Sequence, residues 1–156
     1  MDYVEIKAIQ SERFADAPFV GALISAKGCS KNCKGCFNQH LKELTSVFMT
    51  PKDVLNQVQR NPLHEGIILG GLEWTEQPED LERLVTTALS RGLQVMIQTS
   101  MTQEVFTKAF PVLVDLPIWV KFGDYREDLF QVLDPSGIYL ASSNQYVMFM
   151  GGEELE

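Results

Sequence analysis

Three cysteines, Cys29, Cys33 and Cys36, lie within eight residues and are the only cysteines in the chain. Thiolates bind iron–sulfur clusters or zinc, and a closed structural site of either kind takes four ligands. Three thiolates would therefore leave one metal position open to another ligand. An odd, tightly spaced set is a poor disulfide framework, because one thiol is left over and the spans are too short. The spacing thus indicates a metal site in a reducing compartment.

A structural zinc site is the main alternative to an iron–sulfur cluster. His40 lies four residues beyond Cys36, so the chain also offers a Cys3His set within twelve residues. Zinc loops more often bring their ligands as two separated pairs, which favours the cluster. Three buried cysteines without a metal are a third interpretation.

The composition is that of one acidic, globular domain. The chain has 156 residues, of which 45% are hydrophobic, and its 13 Lys+Arg against 21 Asp+Glu give a net charge of -8. A negative chain is a poor candidate for binding nucleic acid, because phosphate contact usually needs a basic face. We predict a single domain over residues 1–150 and an acidic tail at 151–156.

No targeting or membrane segment stands out in the sequence. The N-terminus is mixed and charged from residue 2, unlike a secretory signal. The apolar run at residues 19–26 is well short of the roughly 18 to 20 residues that span a bilayer. We therefore predict a cytoplasmic protein that does not act at a membrane.

Strands and helices are predicted to alternate along the chain, which is typical of βαβ units and a mostly parallel sheet. An edge strand is expected at 3–8, and further strands at 19–26, 66–69, 93–98, 118–122 and 146–149. Helices are expected at 38–44, 50–60, 78–90 and 102–110. In such sheets the ligand site lies at the carboxyl ends of the strands. The cysteine loop (residues 28–38) and the pair Gly70–Gly71 both follow strands, so both are expected at that edge.

The C-x3-C-x2-C pattern resembles the signature of the radical S-adenosylmethionine superfamily. The resemblance implies an α/β fold, an incomplete parallel β/α barrel. It also implies that Cys29, Cys33 and Cys36 hold a [4Fe–4S] cluster whose fourth iron binds the methionyl group of S-adenosylmethionine. Reductive cleavage of that molecule would release a 5′-deoxyadenosyl radical. Phe37, directly after the last cysteine, would lie near the adenine.

Two further stretches resemble the activating proteins of anaerobic (class III) ribonucleotide reductase. Phe37–Asn38 matches the aromatic–Asn pair after the third cysteine, and residues 134–136 and 142–145 are similar to that family's D-P-S and S-S-N-Q. This implies a glycyl radical generated on the large reductase subunit, with an electron donor such as a flavodoxin. Another small radical enzyme with a different substrate is the alternative.

One motif departs from the family pattern. The usual Gly-Gly-Asp/Glu-Pro, whose acid meets the methionyl amino group, is Gly70-Gly71-Leu72-Glu73 here. The acid is displaced by one residue and the proline is missing. Glu73 is a candidate cofactor contact, or the glycine backbone serves alone.

The remaining candidates are polar residues at predicted strand ends. Thr99 is a candidate contact for the ribose or carboxylate, or else bonds its own backbone. Asn38 is also a candidate for cofactor binding. Asn144 and Gln145 could bond the cofactor or help to dock the partner, or else form a turn before the last strand. We expect no catalytic side chain, because the cofactors carry the radical chemistry.

Several other charged or titratable residues are notable for where they lie in the sequence. Three lysines crowd the cysteine loop, where they would favour a reduced cluster and attract an acidic donor, or simply form a solvated loop: Lys27, Lys31 and Lys34. Asp115 and Lys121 are unusual in an apolar region, and His64 is predicted to face solvent.

Overall fold

The computed structural model describes residues 2–14, 16–29, 39–123, 130–133, 139–142 and 145–151. Within these ranges the strands are β1 (Val4–Arg13), β2 (Gly21–Ala26), β3 (Val47–Met49), β4 (Gly66–Gly70), β5 (Gln94–Gln98), β6 (Trp119–Phe122), β7 (Phe130–Leu133), β8 (Tyr139–Ser142) and β9 (Tyr146–Phe149). The α-helices are α1 (Pro51–Val58), α2 (Pro78–Ser90) and α3 (Gln103–Ala109). Short 3-10 helices cover Gln39–Glu43 and Trp74–Glu76.

Seven strands form one sheet in the order β3-β1-β2-β4-β5-β6-β9. The four central strands, β2, β4, β5 and β6, are parallel to one another. The flanking strands β1, β3 and β9 pair antiparallel, and β7 and β8 form a separate antiparallel pair. The carboxyl ends of the central strands therefore lie along one edge of the sheet.

Local sequence signals account for the helices. Thr50 caps α1 by accepting a hydrogen bond from the Asp53 N–H at 3.1 Å, and Pro51 occupies the first turn. Pro78 likewise begins α2, and Gly92 follows that helix at a φ of 75°. A left-handed glycine after a helix is a common termination.

The two faces of the sheet carry separate apolar clusters. The larger one joins the apolar faces of all three α-helices to alternate residues of the central strands. The second face, opposite the helices, carries a smaller cluster built from Ala17, Phe19, Leu23, Ile68 and Met96, with Trp119 and Val147 packed against it. Both faces of β2 are covered, so all six of its residues are buried.

The α/β class and the parallel central strands agree with the sequence prediction, but the position of the first strand differs. The first strand is not at the edge, because β3 pairs with its outer side through Val4 and Met49. The described strands form an open sheet, and the incomplete barrel stays a prediction.

His64 does not face solvent as predicted, since only 8% of it is exposed. Its Nε2 accepts a hydrogen bond from the Glu12 N–H at 2.9 Å, and its Nδ1 lies 2.8 Å from the Val58 carbonyl oxygen. The imidazole therefore joins the end of β1 to α1.

Among the described helices, none is long and apolar enough to cross a membrane.

Candidate functional site

The ends of three parallel strands bring several candidate residues to one edge of the sheet. Cys29 follows the end of β2 by three residues, Gly70 ends β4, and Thr99 directly follows β5. Cys29 is partly buried and packs against the larger apolar cluster. The other predicted ligands and several predicted contacts lie outside the described residues: Cys33, Cys36, Phe37, Asn38 and Asn144.

The glycine pair forms the turn that leaves β4. Gly71 has a φ of 84°, and a Cβ there would lie 2.8 Å from the Ser25 Cβ and overlap its Oγ. A side chain at Gly70 would overlap the amide group of Gln98. Glycine at position 71 is thus required both by the left-handed backbone and by its close approach to β2.

Glu73, two residues beyond the pair, is 5% exposed, and its carboxylate is surrounded by donors. Oε2 accepts hydrogen bonds from the Thr75 hydroxyl at 2.6 Å, the Thr99 hydroxyl at 2.8 Å and the Thr75 N–H at 3.3 Å. Oε1 accepts from the Ser100 N–H at 2.9 Å. The side chains of Glu73 and Thr99, both candidates for cofactor contact, are therefore hydrogen-bonded to each other.

Thr99 and Gln145, two of the predicted polar contacts, also make other internal hydrogen bonds. The Thr99 hydroxyl also accepts from the Met101 N–H at 3.1 Å, so it does bond its local backbone. Gln145 is 9% exposed and donates from Nε2 to the Gly123 carbonyl at 3.1 Å. Any contact of these residues with a cofactor remains a prediction.

The segment that follows the glycine pair also holds the start of the cysteine loop. We call residues 73–77 the anchor segment. Three hydrogen bonds join it to residues 24–28: Glu73 N–H to the Gly28 carbonyl at 3.0 Å, Trp74 Nε1–H to the Ile24 carbonyl at 2.9 Å, and Lys27 N–H to Gln77 Oε1 at 2.7 Å. Sequence reasoning missed Trp74 and Gln77, although a tryptophan beside an unusual Gly-Gly motif was a signal.

The positive charge expected around the loop is partly offset. Lys27 Nζ lies 3.8 Å from Glu5 Oε1, and its side chain is 48% exposed. Lys31 and Lys34 lie outside the described residues. An exposed ion pair of this kind is weak, so Lys27 still contributes positive potential.

Three polar residues, Ser25, Gln98 and Lys121, form a row across the second face of the sheet near its carboxyl edge. Strand register aligns Ser25 with Gly70, and Gln98 with Lys121. The buried Ser25 hydroxyl has no hydrogen-bond partner within the described part of the chain. Asp115, the other unusual polar residue, is exposed.

Burial lowers the pKa of Lys121 below its ordinary value of 10.5, and the Asp16 carboxylate opposes this shift. The folded state thus binds this proton less tightly than the unfolded state does. The contribution of Lys121 to stability therefore improves as pH rises through the interval between the lowered pKa and 10.5.

Replacement of Lys121 by methionine should remove this burial penalty. We expect Lys121→Met to raise the free energy of unfolding at neutral pH and to flatten its rise with alkaline pH. Urea unfolding of the apoprotein at several pH values tests this, with Lys108→Met as the control because that side chain is 79% exposed. An unchanged pH profile in Lys121→Met would contradict the assignment.

The residues present fit an iron–sulfur cluster at this edge. Three cysteines supply the soft thiolates that such clusters take, and the first of them is held beside the ends of β2, β4 and β5. Among the described residues, no three His, Cys, Asp or Glu side chains gather as an alternative metal site. The fold and the cysteine loop together indicate an α/β iron–sulfur protein.

Comparison with known families agrees with this class. A family model described as a 4Fe–4S single cluster domain matches residues 20–148, and the chain belongs to that family. The match runs from just before β2 into β9 and so includes all three cysteines. No match is found among proteins of curated function.

Proposed function

We propose that this protein is a radical S-adenosylmethionine activase that generates a glycyl radical on an anaerobic ribonucleotide reductase. The observation that carries the proposal is the C-x3-C-x2-C loop beginning at the carboxyl edge of parallel strands, beside a Gly-Gly turn. When bound, the cluster would supply the electron that splits S-adenosylmethionine into methionine and a 5′-deoxyadenosyl radical, which takes hydrogen from a glycine Cα.

The chain's own residues would bind and orient the two cofactors. Cys29, Cys33 and Cys36 would hold the cluster, while Phe37 would lie against the adenine. Gly70 and Gly71 would offer close backbone approach, as a side chain at either position would not. Asn38 and Asn144 would add polar contacts. An incomplete parallel β/α barrel is part of this proposal, and the open sheet with its polar row is compatible with it.

The proposed partner is the large reductase subunit that carries the glycine. In this proposal the partner would supply the glycine whose Cα loses hydrogen. A protein such as flavodoxin would donate the electron. Lys27, Lys31 and Lys34 would attract such an acidic donor, with Lys27 weakened in this role by its pairing with Glu5.

One observation favours a second candidate, a small radical enzyme with a different substrate. The Gly-Gly-Leu-Glu sequence departs from the activase pattern, and the acid of that motif is bonded within the protein. A Cys3His zinc module including His40 is disfavoured by the match to a 4Fe–4S family.

Anaerobic reconstitution followed by dithionite and S-adenosylmethionine tests the proposal. We expect release of 5′-deoxyadenosine and, with the reductase added, a glycyl radical signal in electron paramagnetic resonance. Release of 5′-deoxyadenosine without that signal would favour the second candidate. No release from a fully loaded cluster would contradict both radical functions.

A further inference from the structure

We propose that Glu73 is a positioning residue whose carboxylate joins the end of β5 to the anchor segment that holds the start of the cysteine loop. The expected effects of Glu73 on the cofactors rest on the proposed function, whereas its expected effect on the stability of the apoprotein does not. The positioning role departs from the role that the family resemblance implies, in which the motif acid meets the methionyl amino group.

The Glu73 carboxylate already accepts hydrogen bonds from four protein donors. A carboxylate offers about four acceptor positions. Four donors surround it here: the N–H and hydroxyl of Thr75 and the hydroxyl of Thr99 at Oε2, and the N–H of Ser100 at Oε1. A methionyl ammonium group would find room for another hydrogen bond only at Oε1, on a residue that is 5% exposed.

The backbone of the same residue extends the connection to the cysteine loop. The Glu73 N–H donates to the Gly28 carbonyl, and Gly28 immediately precedes Cys29. One residue thus contacts the segments that follow β2 and β5, while itself following β4. Trp74 and Gln77 add two bonds to the same stretch of chain. The position of the first cluster ligand therefore depends on this arrangement.

Two pairs of variants separate positioning from ligand contact. Glu73→Gln replaces one acceptor oxygen by a donor, and Glu76→Gln makes the same change at an exposed side chain of the anchor segment. Thr99→Val removes the hydroxyl bonded to Glu73, while Thr99→Ser keeps it. The measurements are thermal unfolding of the apoprotein, iron bound after reconstitution, and the Kd for S-adenosylmethionine.

We expect Glu73→Gln and Thr99→Val each to lower the Tm of the apoprotein by about 4 °C, because each leaves a buried donor or acceptor unsatisfied. Both should bind less iron, and Glu76→Gln and Thr99→Ser should resemble the unmodified protein. The double variant should lose less stability than the sum of the single losses, since both changes affect one network.

Ligand contact predicts a different pattern. An unchanged Tm and iron content in Glu73→Gln, with a Kd raised about tenfold or more, would overturn the positioning role, as would no effect at all. If Glu73→Gln does not fold, the comparison of Thr99→Val with Thr99→Ser decides. If the stability pattern holds but no 5′-deoxyadenosine is released, the proposed function fails and the positioning role stands.

Discussion

Replacing Cys29 by alanine is expected to abolish cluster assembly. Its thiolate is one of only three in the chain, and a cubane cluster held by two thiolates would lose a third of its protein ligands. Iron bound after anaerobic reconstitution should fall from about four atoms per chain to fewer than about one. Release of 5′-deoxyadenosine should fall by on the order of 100-fold or more, since even indirect partners of metal ligands cost 10–100-fold.

The fold of the Cys29→Ala apoprotein is the control. Cys29 is partly buried at the margin of the larger apolar cluster, so its removal should leave the circular dichroism spectrum unchanged. A variant that folds, binds a full complement of iron and remains brown would contradict the assignment of Cys29. Colourless protein with one zinc per chain would instead support the Cys3His alternative.

Replacing Gly71 by alanine should cause a large loss of stability. The backbone φ of 84° costs an L-residue about 1–2 kcal/mol. The new Cβ would also overlap Ser25 at the end of β2, and overpacking adds about 1–3 kcal/mol. We expect the free energy of unfolding, measured in urea, to fall by about 2–5 kcal/mol.

Gly92→Ala is the matched control for this change. Gly92 has a similar φ of 75°, but a Cβ there would meet no atom within 4 Å. Gly92→Ala should therefore lower the free energy of unfolding only by the conformational cost of the left-handed backbone, about 1–2 kcal/mol. Equal losses in Gly71→Ala and Gly92→Ala would show that the approach of Gly71 to Ser25 does not constrain the turn.

Helix α2 shows where sequence patterns suffice to predict the fold. Its apolar spacing, Pro78 at its start and Gly92 beyond its end are local signals, and the predicted and observed bounds coincide. Strand β3 was missed because its three residues carry no periodic pattern. Its existence depends on pairing with β1, which sequence neighbours do not reveal.

The candidate site shows the same division between local and distant information. Parallel strands predict that Thr99 and the Gly-Gly motif share an edge, because the carboxyl ends of parallel strands lie on the same side of a sheet. That Glu73 bonds Thr99 depends on a contact across 26 positions. The bonds from Trp74 and Gln77 to residues 24–28 likewise depend on the packing of one loop against another strand. Donor and acceptor types alone do not select such partners.

The anchor segment has a consequence for maturation of the protein. In small zinc domains the metal itself drives folding, and the chain is unfolded without it. Here the bonds to Ile24, Lys27 and Gly28 come from the anchor segment, so the start of the cysteine loop is positioned by the protein itself. We therefore expect iron and sulfide to be inserted into a polypeptide that has already folded, with this end of the loop serving as a fixed point of attachment.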